Sequence, residues 1–210
     1  MIPSATIIKP PHTSVSRETG ERLLAYAALL RRWNARINLV SRADLDELER
    51  RHVEDSLQLL PLLPEGDGPA ADLGSGAGLP GLVLALAEPG RAWHLVESDR
   101  RKAAFLQAAV GELGAANATV HVRRIEEVDL LPLAAVTARA LAPLPALLAH
   151  AHRLLTPGTG VALFPKGRTA EAELTDAARA WTVARAERVA SRTDPAATIL
   201  RLSGIAPHRA

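Results

Sequence analysis

The ten residues Asp72-Leu73-Gly74-Ser75-Gly76-Ala77-Gly78-Leu79-Pro80-Gly81 constrain the fold of this chain more than any other stretch. A short apolar run leads into them and a second, from Leu82 to Ala87, leads out. A buried strand, a tight turn and a helix satisfy that order. Glycine at alternate positions lets the backbone turn sharply and approach a ligand without side chains in the way. Pro80 suits the first turn of the helix, where its missing amide hydrogen costs nothing. Anchored on Gly74, a G-x-G-x-x-G pattern fails at Leu79; anchored on Gly76, it is completed by Gly78 and Gly81. The spacing alone leaves the ligand open.

The rest of the chain supplies a setting for that turn. Apolar runs at 70–73, 92–97, 119–122, 134–138 and 160–164 read as strands. Between them lie helical patterns at 80–87, 100–113 and 144–154, with a further one at 171–181. Such alternation predicts a parallel sheet covered on both faces. Two final runs, 184–189 and 198–202, have no helix between them and should pair as a hairpin that adds an antiparallel edge strand. The expected sheet is therefore mostly parallel and seven-stranded. Glu97 ends the second of these strands, about 20 residues after the turn, where an acid can accept hydrogen bonds from ribose hydroxyls.

Ahead of this α/β unit lies a different kind of sequence. Residues up to Ser16 contain Pro3, Pro10 and Pro11 and read as a flexible lead-in. From Arg17 the apolar positions Leu23, Ala27, Leu30, Trp33 and Ile37 recur at helical spacing, with Ser16 as cap and Glu18 in the first turn. A second helical stretch over 45–63 breaks at Pro64-Glu65-Gly66-Asp67-Gly68-Pro69. The expected division is a lead-in and helical extension over 1–68, then the α/β domain over 69–210.

Several chemistries are excluded. The 210 residues hold no cysteine, which removes disulfides, thiolate metal sites and cysteine nucleophiles. No run is long enough to span a membrane, and no signal-peptide pattern opens the chain. His150 and His152 are poorly spaced for one metal, and His52, Asp55 and Ser56 share a helix and cannot form a triad. No metal site is expected. Ser75 lacks the glycine spacing of a nucleophile elbow. The net charge is only +2, yet the cations gather after the strands: Arg100, Arg101 and Lys102, then Arg123 and Arg124, Arg139, and finally Lys166 with Arg168. In an open α/β sheet those strand ends form the ligand crevice. Arg31, Arg32, Arg36, Arg50, Arg51 and His52 add positive charge from the extension. This is the electrostatic footprint of a phosphate-backbone binder.

With Asp72 placed before its glycines, the turn resembles motif I of class I S-adenosylmethionine-dependent methyltransferases, a Rossmann-like fold. The Asn/Asp-Pro-Pro-aromatic motif of exocyclic-amine methylation is missing, and the cysteine adduct of cytosine C5 methylation is impossible. What remains is an acceptor that is already nucleophilic, such as guanine N7, for which catalysis is mostly positioning. The chain further resembles the RsmG family (glucose-inhibited division protein B), guanine-N7 methyltransferases of bacterial 16S ribosomal RNA. The resemblance runs from Leu24 to Gly167. It rests on Trp33-Asn34-Ala35-Arg36-Ile37-Asn38-Leu39, Arg51-His52-Val53-Glu54-Asp55-Ser56, the glycine turn, Glu97-Ser98, Arg101-Lys102-Ala103-Ala104-Phe105-Leu106, Arg124-Ile125-Glu126, Arg139-Ala140 and Lys166-Gly167.

The resemblance implies S-adenosylmethionine as cofactor, with contacts at Gly74 and Leu79, at Ile125 and Glu126, and at Arg139. The turn and strand-end arguments add Ser75, Gly76, Gly78 and Glu97. Arg51, His52, Arg101, Lys102, Arg124 and Lys166 are the candidate RNA contacts; no catalytic residue is assigned. The implied partner is 16S rRNA or the 30S subunit, for a cytoplasmic protein acting as a monomer with no obligate protein partner. A small-molecule methyltransferase, a nicotinamide oxidoreductase and a catalytically inactive ribosome assembly factor are the alternatives.

Overall fold

A computed structural model describes residues 2, 6–8, 14–130 and 132–208. In chain order its elements are β1 (Thr6–Ile8), α1 (Arg17–Asn34), α2 (Arg42–Asp46), a wide π-type turn (Glu49–Glu54), α3 (Asp55–Leu57) and a short 3-10 turn (Leu60–Leu62). The α/β unit follows as β2 (Ala70–Leu73), α4 (Gly81–Ala87), β3 (Trp93–Val96), α5 (Arg100–Glu112), β4 (Ala118–His121) and β5 (Ala135–Thr137). It closes with α6 (Leu144–Leu154), β6 (Val161–Lys166), α7 (Ala170–Ala177), β7 (Trp181–Ala190) and β8 (Thr198–Pro207).

The strands form one sheet in the order β1-β7-β8-β6-β5-β2-β3-β4. The seven expected strands are all in it. β8 pairs antiparallel with both β6 and β7, so the reversed strand lies at the expected end of the sheet but inside its last neighbour. An eighth strand comes from the expected lead-in: Thr6–Ile8 pairs parallel with β7, with Ile7 opposite Arg188. An open edge offers unpaired amides and carbonyls, and β1 covers that of β7. Residues 1, 3–5 and 9–13 of the lead-in lie outside the described residues.

Adjacent strand residues feed opposite faces, as the two-residue period requires. Ala70, Leu95 and Leu163 join a core with α1, α4 and α5. Ala71, Val96 and Phe164 join a second with α6 and α7. Leu23, Tyr26, Leu30, Leu48, Leu59 and Leu62 of the extension belong to the first core, so the extension is packed as interior and not as an appendage. Its second helical stretch is broken into four short pieces because Leu48, Val53, Leu59 and Leu62 must each reach that core. The helix expected over 171–181 ends at Ala177, and Trp181 instead opens β7 and packs edge-on to His152, ring centroids 5.9 Å apart. Alanine favours helix in either place, so local propensity could not mark that end.

Candidate active site at the sheet's switch point

The strand order reverses between β2 and β5, and the carboxyl ends of those two strands frame the crevice where open α/β sheets bind ligands. The glycine turn leaves β2 there, and Arg139 lies just beyond β5. Within the turn, the Ser75 N–H donates to Val96 O at 2.9 Å and the Ser75 hydroxyl donates to Asp72 O at 2.9 Å. The Ser75 side chain therefore faces inward, and the residue is buried within the turn. Gly74 has φ +67°, and a Cβ on it would lie 2.6 Å from Leu141 Cδ1. The segment after β5 thus folds directly over the turn.

Asp72 is buried below it. Its Oδ1 accepts from the Thr137 hydroxyl at 2.7 Å and its Oδ2 from the Gly81 N–H at 3.1 Å, which caps the start of α4. A Cβ on Gly81 would sit 2.4 Å from Asp72 Cβ, so only glycine allows helix and strand this close. Burial raises the Asp72 carboxyl from 3.8 to about 6, against the lowering effect of those hydrogen bonds and of the Arg139 charge. Glu97, also buried, binds the turn from the other side. Its Oε2 accepts from the Gly76 N–H and its Oε1 from the Asp99 N–H, both at 2.8 Å. The strand-end acid is thus a brace for the turn.

A family model described as rRNA small subunit methyltransferase G matches residues 19–196. The chain belongs to this family. The ribosomal RNA small subunit methyltransferase G of Acidiphilium cryptum is 61% identical over 203 residues, covering 90% of this chain and 92% of its own. That of Granulibacter bethesdensis is 55% identical over 196 residues, covering 93% and 90%. Among solved structures, a SAM-dependent methyltransferase from Aquifex aeolicus aligns with TM-score 0.57 at 14% identity, over 78% of this chain and 98% of its own. M. jannaschii TYW2 in complex with AdoMet aligns with TM-score 0.56 at 14% identity, over 82% and 78%. The expected class and cofactor hold: this is an S-adenosylmethionine-dependent methyltransferase.

The methyltransferase's residues fit that cofactor. A Cβ on Gly76 would meet nothing closer than Gly74 O at 3.8 Å, so the turn leaves open a cradle that a ligand can fill. The donor's positive sulfonium and amino-acid carboxylate match the mixed polarity around that opening, where the Glu97 carboxylate and the Arg139 guanidinium lie on either side of the turn. Gly74, Ser75, Gly76, Gly78 and Glu97 are assembled in one place. Leu79 lies behind the turn, its side chain in the first core. Ile125 and Glu126 lie after β4, two strands along the same sheet end. Arg153 of α6 holds that segment by donating to Val128 O at 2.8 Å and Ile125 O at 2.5 Å. Glu126 Oε1 stands 3.7 Å from His150 Nε2.

The candidate RNA contacts divide. Arg101 and Arg124 are exposed, and Lys102 is half-buried beside Arg101 in the first turn of α5. Arg51 is exposed with Glu47 at 3.9 Å, and His52 is half-buried, its carbonyl accepting from Ser56 Oγ at 2.6 Å. Lys166 is placed differently. Its side chain is only 10% exposed, and its Nζ bonds Ala142 O at 3.0 Å and Glu173 Oε2 at 2.8 Å, tying the segment after β5 to α7. Among the described residues no cluster of three or more His, Asp or Glu is placed to hold a metal, and no helix is long and apolar enough to cross a membrane.

Two features of the site leave no mark in the sequence. Tyr26 of α1 is fully buried and donates its hydroxyl to Ala77 O of the glycine turn at 2.7 Å. It lies on the apolar stripe of α1, where the pattern marks a packing residue and gives no hint of its partner. The second is a cleft of about 840 Å³ beside the turn, walled by Leu141, Pro143, Pro165 and Ile199, with Asp55 and Arg139 on its lining. Its walls come from loops and a hairpin distant in sequence, so no local motif announces it.

Proposed function

We propose that this chain transfers the methyl group of S-adenosylmethionine to N7 of a guanine in 16S ribosomal RNA. The observation that carries this reading is the pairing, at one switch point, of a braced glycine turn with a mainly apolar cleft, in a member of the small subunit rRNA methyltransferase G family. When bound, the donor supplies an electrophilic methyl group on a sulfonium. The open backbone at Gly76 and the Glu97 carboxylate hold its nucleoside side, with Ile125 and Glu126 toward the adenine. Arg139 pairs with its carboxylate. Guanine N7 carries an in-plane lone pair and no proton, so the chain needs no general base. Its work is to align acceptor and donor and to exclude water. Leu141, Pro143 and Pro165 give a purine an apolar surface to lie against.

The target base is presented from single-stranded or locally opened RNA, because the major groove of an A-form helix is too deep and narrow to admit side chains. Arg101, Lys102 and Arg124, with Arg51 and His52 of the extension, contact phosphates around the cleft. The partner is 16S rRNA or the 30S subunit, met by a monomer in the cytoplasm. The extension over 1–68 serves as a support for the donor site and a basic flank for RNA.

The direct test incubates the protein with labelled S-adenosylmethionine and undermethylated 16S rRNA or 30S particles, then maps the label. Label at N7 of one guanine is expected; label on another atom, or none on RNA, refutes the reading. Arg139→Ala and Glu126→Ala should weaken donor binding or turnover while the chain stays folded, and wild-type activity in both would remove those two assignments.

A further inference from the structure

The segment Arg51–Ser56 resembles the family without revealing its task, and the structure gives one of its residues a definite position. Asp55 opens α3 directly after the wide turn Glu49–Glu54. Its carboxylate meets donors from three parts of the chain. Oδ2 accepts from Arg139 Nη1 at 3.2 Å, beyond β5. Oδ1 accepts from the Thr193 hydroxyl at 2.7 Å, in the β7–β8 hairpin, and from Gln58 Nε2 at 2.6 Å. Gln58 is buried and extends the link, its Oε1 accepting from the Arg192 N–H at 2.9 Å. One carboxylate joins the extension, the segment over the glycine turn and the hairpin, all at the cleft.

Arg139 depends on this arrangement. The two side chains are only 20% and 17% exposed, so the guanidinium is partly desolvated and needs a counter-charge. Among the described residues, Asp55 is its only hydrogen-bonding partner. A guanidinium carries five N–H donors in a rigid fork; anchoring one nitrogen aims the others. Arg139 also lies within electrostatic reach of Asp72 and Tyr26, beneath the turn.

We propose that Asp55 is a positioning residue that fixes the Arg139 guanidinium in the cleft, so that its remaining donors meet the anionic group of the bound ligand. The inference rests on Arg139 being a ligand contact. Thr193 and Gln58 hold the carboxylate from behind, and Asp55 touches no reacting atom.

The test compares wild type, Asp55→Asn, Arg139→Ala and the double variant by calorimetric binding of S-adenosylmethionine, by kcat and KM on 30S particles, and by melting temperature. Asparagine keeps the size of Asp55 and removes its charge. Asp55→Asn is expected to weaken donor binding about tenfold on the wild-type background and less than about twofold on Arg139→Ala, since coupled residues are non-additive. A purely structural role would give the same loss on both backgrounds, and that result overturns the proposal, as does wild-type binding by Asp55→Asn. Should Arg139→Ala bind and turn over like wild type, the assignment of Arg139 fails first and this inference falls with it. If Asp55→Asn does not fold, Thr193→Val removes one support of the carboxylate. A loss that vanishes on Arg139→Ala then upholds the proposal, and wild-type binding overturns it.

Discussion

Ala140 has φ +51°, the left-handed region that non-glycine residues seldom occupy. It follows Arg139 and turns the chain so that Leu141 covers Gly74. A conformation of this kind costs on the order of 1–3 kcal/mol and persists where surrounding structure enforces it. A β-branched residue is held there at greater cost than alanine, so Ala140→Val should lower the unfolding free energy measured in denaturant by about 1 kcal/mol or more. Ala140→Gly relieves the strain at the expense of backbone entropy and should leave it unchanged or slightly raised. Asp72 offers a second single-residue test. Its folded pKa is raised, so the folded chain keeps the proton while the unfolded chain loses it. Its effect is absent below about pH 4, stability falls as pH rises from 3.8 to about 6, and the loss is complete above that. The size is on the order of 3 kcal/mol. In Asp72→Asn, which cannot ionise, urea unfolding at stepped pH should lack this decline relative to wild type. An identical pH slope in both proteins would refute it.

At the scale of elements, α1 works on the donor site from outside the α/β unit. Trp33 stacks edge-on to Phe105 of α5, with centroids 5.8 Å apart, as expected of a packing tryptophan. Asn34 closes the helix by accepting from the Leu39 and Val40 amides at 2.8 and 2.9 Å, which gives the Trp-Asn segment a structural use. Tyr26 carries the reach into the site. Tyr26→Phe leaves the Ala77 carbonyl without its buried donor, at a cost of about 1–3 kcal/mol. A lower melting temperature and a weaker donor affinity are expected together, measured by calorimetry. A drop in stability with unchanged affinity would confine Tyr26 to packing.

Across the whole molecule, charge placement matters more than the net charge of +2. Arg139 and Lys166 are held in ion pairs by Asp55 and Glu173, whereas Arg100, Arg101, Arg123 and Arg124 stand exposed at the strand ends. Exposed cations that neutralise phosphates release counterions, so RNA affinity should fall steeply with salt. Arg101→Ala with Arg124→Ala should weaken RNA binding and reduce the salt slope by about 1 for each phosphate that is no longer neutralised. Donor affinity should not change. An unaltered slope would place the RNA elsewhere on the surface.

The sequence alone determined the alternation of strands and helices, the glycine turn and the acid that ends β3, because strand pairing and helix packing write periods of two and 3.6 into the apolar residues. It also carried the family, through short segments that stay together along the chain. What only the tertiary structure decided are the meetings across distance: Tyr26 with Ala77, Asp55 with Arg139 and Thr193, and Lys166 with the segment after β5. A side chain's periodicity records which face it occupies and says nothing of which partner waits there. Those partners are chosen by the order in which the strands assemble, and that order belongs to the packed chain.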